Sequence, residues 1–226
     1  MQHTSRQLLI DQRTAVANSL RGQLAEFGVI ERKGIENVGE LVRMLDEDAE
    51  ALAQVPVGAL TVMKILADQL RAVDAHLSAI DEEIEAWRRE NAAAQALKTI
   101  PGVGALISAA LLAHVPDPSM FRSGRDFAAW LGLVPRQNSS GGKERLGRIT
   151  KQGNPYLRRL LVLGATASLR WLHKRSDPLA AWTKRLLHRR PARLVTVALA
   201  NKLARIAWAI MTTGEFFRSE IQTASA

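Results

Sequence analysis

Two serines, Ser139 and Ser140, stand beside two glycines, Gly141 and Gly142, and Arg136, Lys143, Arg145, Arg148 and Lys151 surround them. An unhindered serine hydroxyl among arginines can attack a phosphodiester, with the cations stabilising negative charge as it develops. The same residues also suit a phosphate-binding loop, and spacing alone favours that simpler task. A second candidate lies upstream at Ile100-Pro101-Gly102-Val103-Gly104, ahead of the small-residue stretch Ala105–Leu112. Two glycines there allow positive φ and close backbone approach. A helix starting after Gly104 would offer unpaired amides and its positive dipole end to a phosphate. Contacts of this kind grip the nucleic-acid backbone and do not read base sequence.

The Pro-Gly-x-Gly turn followed by alanines resembles the helix-hairpin-helix element of many DNA-binding proteins; an ordinary helical corner is the alternative. Arg122, Arg125, Arg158 and Arg159 add cations on either side of the serine segment. Trp130, Trp171, Trp182 and Trp208 could stack on bases, but their helical spacing favours core packing. The run Lys184-Arg185-Leu186-Leu187-His188-Arg189-Arg190 suits phosphate contacts or a solvated helix end. The chain has no cysteine and five scattered histidines, which leaves no disulfide framework, no thiolate metal site and no metal-like His pair.

The elements that must position these residues are helical. The net charge of +9 is split unevenly. Residues 1–97 hold 10 Lys/Arg and 16 Asp/Glu, whereas 98–226 hold 21 and 6. The acidic half carries a helix over Ser5–Phe27, a shorter one around Leu41–Leu45, and a long seam. In that seam Met63, Leu66, Leu70, Val73, Leu77, Ile80, Ile84 and Trp87 alternate steps of three and four, a coiled-coil pattern. It needs a partner strand, either the first helix folded back or a second subunit. The basic half suits a polyanion. Its helices are expected over 104–114, 123–131, 154–173, 177–188 and 192–213, with Leu131–Gly153 a long loop. No strand pattern is evident, so the fold class read here is all-α. The domains read as a helical coiled-coil connector over 1–95 and a compact basic domain over 96–226. No run of 18 apolar residues is present, so no membrane partner is expected. The composition fits a cytoplasmic protein.

The ordered series Ile100–Gly104, Phe121–Arg125, Trp130–Arg136, Ser139–Lys143 and Ile149–Asn154, with Asn201–Ala209 near the end, resembles the C-terminal domain of the Piv/MooV-type insertion-sequence transposases. These form the insertion-sequence one-ten family, which includes the RNA-guided bridge recombinases. The likeness covers about 95–218, and residues 5–95 resemble the connector that precedes that domain. It implies a serine that becomes joined to DNA, which falls on Ser140, with Ser139 as the register-shifted alternative. It also implies an RNase-H-like domain whose four acidic residues bind a divalent metal. No such constellation is evident in 1–97, so Mg is expected only with that further domain, and cleavage by this chain alone is not expected. DNA is the implied partner, a guide RNA a further one, and the coiled coil the expected route to a homo-oligomer. The rival readings are a non-catalytic DNA- or RNA-binding regulator and a scaffold whose basic half binds an acidic protein.

Overall fold

The computed structural model describes residues 1–30, 34, 37–47, 52–138 and 146–217. Nine α-helices run through them: α1 Gln2–Glu26, α2 Val38–Glu47, α3 Val57–Glu90, α4 Ala92–Lys98, α5 Ala105–His114, α6 Gly124–Trp130, α7 Pro155–Arg170, α8 Pro178–Leu187 and α9 Ala192–Thr213. Between α6 and α7 lies one antiparallel hairpin of β1 Pro135–Gln137 and β2 Leu146–Ile149. The chain divides into two units, Met1–Glu83 and Ile84–Ala226.

In the first unit apolar residues of α3 pack against α1 and α2. Leu20 and Leu24 of α1 cluster with Leu41 and Leu45 of α2 and with Met63 and Ala67 of α3. Val16, Ala17, Val38 and Leu70 form the adjoining layer. Arg6 pairs with Asp81 at 2.6 Å and Arg13 with Asp74 at 2.5 Å. A step of seven up α1 matches a step of seven down α3, so the two helices are antiparallel. These ion pairs are partly solvated and contribute at most about 1 kcal/mol each, so the apolar layers carry the hairpin. Trp87, at the end of the seam, is 41% exposed.

In the second unit α9 is the central helix. Val195, Leu199, Leu203, Ala207 and Ile210 are buried on it, and it packs against α4, α6, α7 and α8. It is long and apolar enough to cross a membrane by length and composition alone. Here that apolar face fills the core of a helical unit. Gly124 allows α6 to approach closely, because a Cβ there would lie 3.1 Å from the Arg205 carbonyl oxygen.

Local caps set the helix starts. Asn154 accepts from the amides of Tyr156 and Leu157 ahead of Pro155, and Asp177 accepts from Ala180 ahead of Pro178. Asp177 also takes both limbs of the Arg175 guanidinium at 2.8 Å, and Arg175 in turn donates to the buried Ser168 hydroxyl. Asp177→Ala removes a cap and leaves a half-buried guanidinium without its carboxylate. We expect a loss of about 2 kcal/mol in urea denaturation; a change under about 0.5 kcal/mol would assign this pair no role in stability.

One expectation is corrected. Leu131–Gly153 is not strand-free, since it contains β1 and β2, and the fold is mostly helical with two short strands. Pro135 pairs with Ile149 and Gln137 with Leu146, so β2 carries an extra residue as a bulge.

Candidate nucleic-acid interface

The glycine turn separates into two roles. Gly102 has φ +92°, and a Cβ on it would lie 2.3 Å from the Gly164 carbonyl oxygen on α7. A Cβ on Gly164 would likewise meet the Gly102 carbonyl oxygen at 2.2 Å. Gly102 therefore faces α7, and its lack of a side chain serves packing. Val103 is also turned inward, 3% exposed, with its amide donating to the Ile100 carbonyl. Only their backbones remain available to a ligand. Gly104 differs. It is exposed, has open space where a Cβ would be, and caps α5 with no side-chain bond. The α5 N-terminus is thus left without a side-chain cap at an exposed glycine, the kind of helix end that suits an anion. Gly164 was missed in the sequence, although an isolated glycine inside a helical pattern is a signal of close approach.

The hairpin stands on an interlocked base. At the end of α6 the Gly132 amide donates to Ala129 and the Leu133 amide to Ala128, a Schellman ending with Gly132 at φ +70°. The Lys151 amide then donates to Gly132 and that of Thr150 to Val134, extending the pairing below the strands. A Cβ on Gly132 would meet the Gln152 carbonyl oxygen at 2.2 Å, and one on Gly153 would meet that of Trp130 at 1.7 Å. Arg158 donates from one nitrogen to the carbonyls of Leu131 and Gln152, both at 3.0 Å. From α9, Asn201 donates to the Leu133 carbonyl at 3.1 Å. Arg158 therefore braces the two limbs, a role its position in the sequence did not reveal.

On this base Arg136, Arg148 and Lys151 are exposed. Arg136 donates to the Thr150 carbonyl at 3.2 Å and keeps further donors. Lys151 occupies the left-handed region at φ +58°, a conformation costly for a non-glycine residue. Ser139, Ser140, Gly141, Gly142, Lys143 and Arg145 belong to the connection between the strands and lie outside the described residues. Arg122 and Arg125 are exposed at the start of α6. Arg159 is exposed on α7, 5.8 Å from the Tyr156 ring centroid.

The tryptophans divide, against the expectation of core packing. Trp171 is 57% exposed with Lys174 4.6 Å from its ring, and Trp130 is 36% exposed. Trp208 is half-buried and donates to the Pro118 carbonyl, and Trp182 is half-buried beneath Lys202. Among the described residues no group of three His, Cys, Asp or Glu could hold a metal ion. The donors among the described residues therefore do not fit the divalent metal that the resemblance implies.

Comparison with known proteins adds a family match within the second unit. Residues 94–180, which span α4 to the start of α8 and include both serines, match the family model described as Transposase IS116/IS110/IS902 family. The chain is 42% identical, over 96% of its length and 64% of the relative's, to a Pseudomonas aeruginosa protein described as "Probable family 20 transposase". It is 39% identical to the transposase for insertion sequence element IS1111A of Coxiella burnetii, over 94% of this chain and 58% of that one. It is 35% identical to the transposase for insertion sequence element IS1328 of Yersinia enterocolitica, over 95% and 63%. The match to the IS116/IS110/IS902 transposase family thus lies on residues 94–180, and the chain spans 58–64% of the length of these relatives.

Proposed function

We propose that this chain binds DNA during transposition and that Ser140 is the nucleophile that joins it to a cut strand. The observation that carries the reading is the braced hairpin base. It holds Arg136, Arg148 and Lys151 exposed on both sides of the serine segment, where a phosphate under attack needs positive charge. The Ser140 Oγ forms a bond to phosphorus, and one P–O bond to deoxyribose breaks. The hydroxyl proton leaves to water, and the released deoxyribose oxygen takes one up. Gly104 and the start of α5 hold a neighbouring phosphate. A guide RNA, assembly through the α1–α3 hairpin and action in the cytoplasm belong to the same reading, and a divalent metal is expected only with a further acidic domain.

DNA binding is tested first, with the chain and a labelled duplex across a salt series. If six to ten phosphates are engaged, affinity falls about 10³- to 10⁵-fold between 50 and 200 mM salt. A slope near zero excludes phosphate contacts and with them the DNA reading. The nucleophile is tested in a family protein that carries this sequence at its full length. Ser140→Ala should bind DNA within about twofold of the parent while losing the covalent adduct, because every nearby cation is kept. Loss with Ser139→Ala alone moves the nucleophile by one residue. Binding without any adduct from the parent protein assigns the chain a non-catalytic role.

A further inference from the structure

We infer that the corner between α8 and α9 is a second DNA-backbone surface, taking phosphates of the duplex that flanks the segment held at the hairpin. The inference rests on the DNA reading above. From Pro178 to Gly214 the chain has no Asp or Glu, yet it carries Lys184, Arg185, Arg189, Arg190, Arg193, Lys202 and Arg205. Arg185, Arg189, Arg190 and Arg193 are exposed, and among the described residues none enters an ion pair or side-chain hydrogen bond. The nearest upstream carboxylate, Asp177, is fully engaged by Arg175.

Helix electrostatics explains only part of this cluster. Cations in the last turn of α8, Lys184 and Arg185, complement its negative end. Arg189 and Arg190 also follow directly on the C-terminal end of α8, with both amides donating to the Leu186 carbonyl, but together with Arg193 they gather at the start of α9, the positive end of a 22-residue helix whose cap Pro191 makes no side-chain bond. Positive charge there opposes the dipole, so these arginines work against α9 unless an anion joins them. One helical turn below Arg185, Trp182 lies 4.7 Å from the Lys202 ammonium. Burial first, and Arg205 second, hold that ammonium below the usual lysine range, which marks it as short of counter-charge.

The spacing fits one duplex. Asn201 of α9 donates to the Leu133 carbonyl at the hairpin base. Arg193 is eight residues earlier on α9, about 12 Å along the axis, which is close to the width of the major groove at about 12 Å. A rise of that order from the helix position that touches the hairpin base to the corner suits one duplex spanning the hairpin and the corner.

The test compares the full chain with Arg189→Gln/Arg190→Gln/Arg193→Gln and with Arg136→Gln/Arg148→Gln, each against a labelled 30-base-pair duplex over a salt series. The triple variant should keep the parent's helicity and melting temperature, because it removes only exposed, unpaired cations. Its log–log salt slope should be shallower by about 2 to 3, since each phosphate contributes about 0.9, and its affinity at low salt should fall more than tenfold. Unchanged slope and affinity in the triple variant, with weakened binding in the arm variant, overturns the corner while leaving the DNA reading standing. If the parent itself does not bind the duplex, both readings fall. If the triple variant loses binding only to a hairpin RNA of equal length, the corner serves RNA and the inference is wrong.

Discussion

Gly153→Ala should destabilise the second unit by about 3 kcal/mol or more. At φ +79° this residue sits where an L side chain costs about 1–2 kcal/mol by itself. A Cβ would also lie 1.7 Å from the Trp130 carbonyl oxygen, a backbone atom that cannot rotate away. Relief requires separating the end of α6 from the start of α7. That movement would stretch both hydrogen bonds from Arg158 and draw Leu131, fully buried, out of its packing. The melting temperature of the second unit should fall by roughly 10 °C or more for a unit of this size. DNA affinity should fall with it even under native conditions, because Arg136, Arg148 and Lys151 depend on that base. Gly104→Ala is the internal control. Gly104 has ordinary φ and open space, so the substitution should cost only the cap preference of about 0.5–1 kcal/mol in stability, well below the effect at Gly153. Equal stability of Gly153→Ala and the parent chain would show that the interlocked base is not as described.

Leu70→Asp should dismantle the first unit. Leu70 is 2% exposed and packs with Val16 and Ala17 of α1 and Val38 of α2. The change removes about 2–3 kcal/mol of apolar burial and places a carboxylate where no cation in that layer can pair with it, adding several kcal/mol more. Adding Leu77→Asp, at a position 8% exposed, extends the damage one heptad further. The sum exceeds what a small helical unit holds in reserve. Hydrogen exchange separates the outcomes. Amides of α1 and of α3 up to Glu83 should lose protection, while those of α6 and α9 keep theirs. Sedimentation adds the test of assembly: a parent that self-associates and a variant that does not would make the hairpin the oligomer contact. Undiminished protection in α1 would mean that the apolar layers between α1 and α3 do not hold the unit together.

The parts of this protein that were legible in the sequence are governed by neighbours along the chain. The starts of α7 and α8 were placed within one residue because Asn154-Pro155 and Asp177-Pro178 cap their own helices through bonds spanning two or three residues. The bounds of α9 and the Leu-rich seam of α3 followed from apolar spacing, which a helix converts directly into one buried face. The unbalanced charge of the second half was likewise a matter of counting. Tertiary structure decided the rest. Strands of three and four residues are too short to show a period, and β1 and β2 exist because Gly132 and Gly153, 21 positions apart, allow two backbones to touch. Gly102 reads locally as a turn glycine, and only folding shows that across 62 positions it meets Gly164. Arg158 reads as one more cation in a basic stretch, yet its hydrogen bonds go to two carbonyls that only folding brings together. The physical reason is range. Capping and amphipathicity act over a few residues, whereas close backbone approach and the satisfaction of carbonyls depend on segments whose meeting no local pattern encodes.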